Sequence, residues 1–370
     1  MTTSPRSLRR RAAWAAPVLT AAVVGGVALL PSAASASAHP ALPSRTAAQL
    51  LADVQGAKVT ALSGTVVETA RLGLPTLPGA DSAATLSLQT LVTGTHTARV
   101  WLDGPERQRL ALLGQLSESD VVHDGTDLWT YASSSQKVQH TVLPADKAAA
   151  HPGPSTDVRS MTPEGVAQQA LRAVDASTEV TVERTARVAG RPVYTLVLAP
   201  RDSRSTVRRV AIAIDAATKV PLRVQVFGAA TRPAFETAFT YVSFRRPAAS
   251  VFTFRAPQGS TVTTKTLAQA GHFGTPDSHR PATGAEAAKA GPTTLGKGWT
   301  TVAVLPPGSG ASVLTGSTGS LLGRLTTTPR SGDRLLQSAL VNALLTKDGR
   351  VLIGAVSPAV LQQAAAGQLR

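Results

Sequence analysis

The stretch Asp120–His140, DVVHDGTDLWTYASSSQKVQH, decides how the rest of the chain is read. Val121-Val122-His123 and Leu128-Trp129-Thr130-Tyr131 are runs suited to strands, and Asp124-Gly125 lies between them. Asp-Gly between alternating apolar runs signals a hairpin, because a type I′ turn needs positive φ at both central residues. Asp124-Gly125 is therefore expected to be that turn. Ser133-Ser134-Ser135 supplies a second turn and leads into Val138-Gln139-His140-Thr141-Val142. A strand ladder without obvious catalytic chemistry follows, so function is to be sought in a surface or a cavity.

Working outward, the period of two persists from Leu62 to about Pro257. Leu86 and Leu88 alternate with Ser87 and Gln89, and Val100 and Leu102 with Arg99, Trp101 and Asp103. Leu110 and Leu112 alternate with Arg109 and Ala111. Tyr194, Leu196 and Leu198 share a face, Val210, Ile212 and Ile214 oppose Arg209, Ala211 and Ala213, and Leu222, Val224 and Val226 oppose Arg223 and Gln225. One apolar face against one polar or small face is the pattern of an antiparallel sheet covered on one side. Asp215-Ala-Ala-Thr218 is expected to connect a hairpin, with Pro221 at a strand start where its missing N–H is harmless.

Two helices accompany the sheet. Thr46 to Ala57 places Leu50, Leu51 and Val54 at helical spacing behind a Ser44 or Thr46 cap. Thr162-Pro163-Glu164 supplies an N-cap, an N1 proline and a first-turn acid, followed by Val166, Ala170, Leu171 and Val174. A sheet with one apolar face needs such helices laid across it. The expected fold class is α+β, a curved antiparallel β-sheet covered by helices with a small C-terminal α+β unit. The space between sheet and helices is either packed or hollow.

The two ends differ from this middle. Residues 1–38 have the layout of a secretory signal peptide: Arg6, Arg9, Arg10 and Arg11 without an acid, an apolar run from Trp14 to Leu30, and overlapping A-x-A sites. Cleavage is expected near Ala36 or Ala38, giving a secreted or extracytoplasmic protein of the cell envelope. The absence of cysteine excludes disulfides and an acylated N-terminal cysteine. Residues 261–294 are expected to be a flexible linker, since the stretch from Gln258 is rich in Ala, Gly, Thr, Pro and Ser. Residues 295–370 form the small C-terminal unit, with a strand at Trp299–Leu305, a helix at Arg334–Thr346 carrying Leu335, Leu336, Leu340, Leu344 and Leu345, a turn at Lys347-Asp348-Gly349, a strand at Arg350–Ser357 and a terminal helix from Pro358.

The net charge of +15 falls to +11 without the leader, with 33 basic against 22 acidic residues remaining. Export and the lack of an aromatic-rich RNA-binding segment argue against nucleic acid. A solvated face, or peripheral attraction to anionic headgroups, accounts for the charge better. Enzyme motifs are missing: there is no G-x-S-x-G, H-E-x-x-H, P-loop or G-x-G-x-x-G. Gly308-Ser309-Gly310 lacks the later glycine and lysine of a phosphate cradle. His123-Asp124-Gly125-Thr126-Asp127 is explained by a hairpin without a metal. Glu118 and Asp120 are spaced as an acid–base pair, but their polar surroundings favour a solvated edge. The expectation is a protein that is not an enzyme, with no catalytic residues, no metal and no cofactor.

The order of these segments resembles the LolA family of lipoprotein carriers and the N-terminal domain of MucB/RseB. Val59–Val66 resembles the first strand after the N-terminal helix, Val121–Tyr131 the D-G-x-x-L-W-x-Y hairpin, and Val193–Pro200 and Val210–Val226 the later strand pairs. Phe252–Gly259 resembles the closing F-x-F-x-x-P-x-G, and Thr162-Pro163-Glu164 falls where a cover helix is expected. The resemblance implies that residues 39–260 form a half-barrel of antiparallel strands closed by helices around an apolar cavity. It also implies a function, the binding of lipid or lipoprotein acyl chains. The candidate lining residues are Leu86, Leu88, Val100, Leu110, Leu112, Leu196, Leu198, Ile212, Ile214 and Val224. In carriers resembling LolA an arginine commonly precedes the proline after the aromatic-containing strand and latches the lid; here Trp101-Leu102-Asp103-Gly104-Pro105 has Gly104 in that place. The MucB/RseB side of the resemblance implies an alternative, a regulatory sensor that binds a membrane-bound anti-sigma factor or another envelope protein.

Overall fold

The computed structural model describes residues 42–57, 59–74, 93–114, 117–144, 158–172, 174–266, 292–307, 326–327 and 332–369. The expected leader, Leu86 and Leu88, and most of the expected linker lie outside them. Twelve of the described strands build one sheet: β1 (Ala61–Arg71), β2 (Thr93–Asp103), β3 (Arg107–Leu113), β4 (Glu118–Asp124), β5 (Asp127–Ala132), β6 (Lys137–Val142), β7 (Thr178–Val188), β8 (Arg191–Pro200), β9 (Arg209–Asp215), β10 (Pro221–Phe227), β11 (Phe235–Ser243) and β12 (Thr261–Thr266). Their order is β12-β6-β5-β4-β3-β2-β1-β11-β10-β9-β8-β7, so the curved sheet stays open, with β12 and β7 at its edges. Eleven strands are antiparallel neighbours, and the long-range β1–β11 pair joins the two halves.

The hairpin that opens the sequence reading is present, with a shifted turn. Asp124 pairs with Asp127, so the central residues are Gly125 and Thr126. Of the two only Gly125 has positive φ, at 61°. Positive φ at the first central position alone is the type II′ pattern, which glycine fits without steric cost. Asp124 belongs to the strand.

Helix α1 (Ala47–Gly56) starts with a capping box, in which Thr46 Oγ1 accepts from Gln49 N at 3.2 Å and Gln49 Oε1 accepts from Thr46 N at 2.9 Å. It packs towards β7, and helix α2 (Pro163–Arg172) lies against β10 and β11. Gly165 N donates to Thr162 Oγ1 at 3.4 Å, as the N-cap expectation requires. Leu50, Val54 and Ala167 are buried in one cluster with Tyr194, Leu196, Leu198, Ile212, Ile214 and Val224. The helical cover is therefore in place over the β8–β10 half of the sheet.

Beyond β11 the structure departs from the sequence reading. The chain crosses the outer face of β3 and β4 with the short 3₁₀ turn Ala249–Phe252, and then adds β12 in parallel to β6. The first residues assigned by composition to a linker are thus a strand. Its Thr-rich sequence suits β structure, and all six residues are exposed.

A second, six-stranded sheet has the order β13-β14-β18-β17-β16-β15. It comprises β13 (Thr293–Leu295), β14 (Val302–Leu305), β15 (Thr326–Thr327), β16 (Arg334–Leu336), β17 (Asn342–Leu345) and β18 (Val351–Gly354), covered by helix α3 (Pro358–Ala365). The helix expected over Arg334–Thr346 is instead the β16–β17 hairpin. Leu335 and Leu344 pair across it and are both buried, and Asn342 Nδ2 donates to Val356 O at 2.8 Å. Leu335 and Leu344 lie in the two strands and Leu340 in the connection between them, yet all three also fit a helical stripe, and spacing alone does not separate the two. The two sheets are joined by backbone hydrogen bonds, Thr206 N to Ala355 O at 2.9 Å, Ser357 N to Arg204 O at 3.1 Å and Ala339 N to Leu72 O at 2.9 Å.

Candidate functional site

Cross-strand register assigns each side chain to a face. Leu112 opposes Ala98, Leu110 opposes Val100, Val100 opposes Gly64, and Val66 opposes both Ala98 and Phe239. Further along, Glu68 opposes Thr237, Thr237 opposes Val224, Val224 opposes Ile212, and Ile212 opposes Leu196. All eight described candidates, Val100, Leu110, Leu112, Leu196, Leu198, Ile212, Ile214 and Val224, therefore lie on a single face. Each is at most 1 % exposed.

The structure does not gather them into one cluster. Val100, Leu110 and Leu112 pack with Leu62, Val66, Leu102, Val121 and Phe239, whereas Leu196, Leu198, Ile212, Ile214 and Val224 pack under α1 and α2. Between these clusters the register places a polar row, His96–Glu68–Thr237. The His96 ring is satisfied by Thr93 O at 2.7 Å. Glu68 Oε1 and Thr237 Oγ1 are buried without a hydrogen-bond partner, and Thr237 is wholly buried. Burial raises the Glu68 carboxyl from the ordinary 4.5 to about 7, because the charged form loses its water. The row is visible in the sequence only as a break, Val66-Val67-Glu68-Thr69-Ala70, in an otherwise apolar alternation.

On the outer face of the same strands the chemistry is different. Asp120, expected at a solvated edge, is only 7 % exposed. Its Oδ2 accepts from Arg109 Nη2 at 3.0 Å, and burial pushes its carboxyl up against the opposing pull of Arg109. Glu118 is exposed as expected, and no acid–base couple is formed. Trp129 stacks on the His140 ring at 3.8 Å and lies 5.3 Å from Phe254, so the two sequence signatures meet here. Asp127 accepts from His140 Nε2 at 2.6 Å, and among the described residues no His/Asp/Glu group is arranged to hold a metal.

The latch position is a turn. Gly104 has φ of 76°, a conformation costly for arginine, and the neighbouring Asp103 carboxylate is held by Arg107 and by Arg246 at 2.9 Å. Asp215 at the β9–β10 turn is buried, and despite that burial, hydrogen bonds from Arg191 and Thr218 hold its carboxyl below the usual range. These contacts tie down the β2–β3 and β9–β10 turns.

An open antiparallel half-barrel with helices over one apolar face defines the structural class. No family model matches the chain, and no curated protein matches it. Among solved structures it is similar to the MucA/MucB complex of Pseudomonas aeruginosa, at 17% identity over 86% of this chain and 96% of that one, with a TM-score of 0.44. A structure of MucB in complex with MucA(peri) is 16% identical over 86% of this chain and 97% of that one, TM-score 0.44. A LolA superfamily protein from Nitrosomonas europaea is 12% identical over 57% of this chain and 99% of that one, TM-score 0.22. Among the described residues no helix is long and apolar enough to cross a membrane.

Proposed function

We propose that this is an exported, non-catalytic protein of the cell envelope that binds lipid or lipoprotein acyl chains between the helices and the covered face of the sheet. The observation that supports it is the interruption of that face by Glu68 Oε1 and Thr237 Oγ1, buried and unpartnered between two apolar clusters. A face evolved only for packing would place an apolar pair there, because each unsatisfied buried group costs about 1–3 kcal/mol. A ligand with a long apolar part and a hydrogen-bonding head would satisfy both halves of the pattern. Native mass spectrometry after gentle purification, together with uptake of a fluorescent fatty acid, tests the reading. Lipid-free protein that takes up no fatty acid would sink it.

A second reading is a sensor that binds a membrane-bound anti-sigma factor or another envelope partner. It is favoured by the C-terminal sheet, whose fastening at Arg204–Thr206 and Ala339 adds a second body beyond what a minimal carrier needs. Crosslinking in intact envelopes discriminates: recovery of a single-span regulator supports the sensor, and recovery of lipoproteins alone supports the carrier.

A further inference from the structure

We infer that the outer face carries a second binding site, a cleft for neutral, hydroxyl-rich ligands of the sugar class. The cleft has a volume of about 560 Å³ and lies between the outer side of β3–β5 and the segment that follows Phe252. Clefts of roughly 300–1,000 Å³ accommodate small organic ligands. Arg109, Glu118, Asp120, Tyr131, Phe254 and Arg255 line it.

Its centre is a half-completed ion pair. Arg109 is fixed on three sides: Nη1 donates to Val251 O at 3.1 Å, Nη2 donates to Asp120 Oδ2 at 3.0 Å, and the guanidinium lies 5.5 Å from the Trp101 ring centre. Its Nε–H and the Asp120 Oδ1 are buried and have no hydrogen-bond partner. One donor and one acceptor of this fixed pair are thus left without a partner. Such groups are rare in folded proteins and mark a missing partner, either water or a ligand.

The rest of the lining selects the partner. Two cations and two carboxylates balance, so the cleft favours neither an anion nor a cation. A hydroxyl both donates and accepts, and so matches the two kinds of group, an acceptor at Asp120 Oδ1 and a donor at Arg109 Nε, that the pair leaves unpartnered. Ser250, Thr253 and the Tyr131 hydroxyl offer further polar partners. The Tyr131 and Phe254 rings stand 6.3 Å apart at 47°, an angled apolar wall for the C–H face of a pyranose. A simple amine or a phosphate would use only part of this set.

The site is separate from the covered face, so its test is independent of acyl-chain binding. The full chain is examined by saturation-transfer NMR with N-acetylglucosamine and methyl glucoside, and with glycerol as the non-cyclic control. Transfer to the ring protons of a sugar, and not to glycerol, is expected. Phe254→Ala, on a half-buried and peripheral side chain, should weaken binding by about three- to tenfold while leaving the circular dichroism spectrum unchanged. Asp120→Ala should abolish it. Absence of transfer from the folded protein to either sugar, or equal transfer in all variants, overturns the proposal and assigns the two unpartnered groups to water.

Discussion

Strands β3, β4 and β5 present two faces built to different rules. On the covered side Leu110, Leu112, Val121 and Leu128 are buried in one apolar cluster. On the outer side Arg109, Asp120, Trp129 and Tyr131 form pairs and stacks that are only partly enclosed by the Phe252–Pro257 segment. Because the side-chain period is two, one ladder serves both sets, and a residue's chemistry follows from its parity in the strand. The covered face is held by volume; the outer face is held by partners. Substitutions should therefore fail for different reasons on the two sides.

The largest effect is expected from volume. Leu110→Ala should lower the free energy of unfolding by about 2–5 kcal/mol, read as a drop in urea midpoint without a change in slope. A small effect would mean that the covered face is already hollow at that point. Next comes the polar row. Because the Glu68 carboxyl is raised to about 7 in the folded chain, that chain holds the proton more tightly than the unfolded one. Stability should fall as pH rises from about 4.5 to about 7 and level off above, and Glu68→Gln should remove this fall and stabilise the protein at pH 8 by about 2–3 kcal/mol. A flat profile in the wild type would place Glu68 in water.

On the outer face, Asp120→Ala should cost about 1–2 kcal/mol, since it leaves Arg109 half-buried without its carboxylate. The double replacement Asp120→Leu with Arg109→Met should recover most of that loss, because it removes the desolvated charges together. Equal losses in the single and double variants would show that volume governs this side too. The smallest effect is the loss of stacking: Phe254→Ala should cost about 0.5–1.5 kcal/mol in thermal unfolding, with altered Trp129 fluorescence as the local readout.

This division explains which parts were legible in the sequence. Alternation revealed most strands of the large sheet and the covered face, although β7, β11 and β12 were not singled out by it, and all eight described candidates lie on one face, as parity requires. The cap at Thr162 was equally plain and the first cap was narrowed to Ser44 or Thr46, of which the structure uses Thr46, because capping is a local event. The β16–β17 hairpin was not legible, since Leu335 and Leu344 on its strands and Leu340 in the connection between them also fall at the spacing of a helical stripe. The parallel pairing of β12 with β6 joins residues more than a hundred positions apart, which no local pattern encodes. Asp120 was misjudged for a similar reason. Its burial depends on the segment around Val251 and Phe254, far away in the chain, as well as on Arg109 in the adjacent strand.

The pairing of β1 with β11 also governs how the molecule is made. Ser63 opposes Ser243, so an early strand waits for a partner synthesised well over a hundred residues later. Until then one edge of β1 has unsatisfied backbone groups, a template for aggregation. Non-local closure of this kind is slow, because a long loop must be ordered before any contact rewards it. The hairpins on either side can pair as they are made, but the β1 edge stays open until β11 has been synthesised, and a holding chaperone that covers it until then would suppress aggregation.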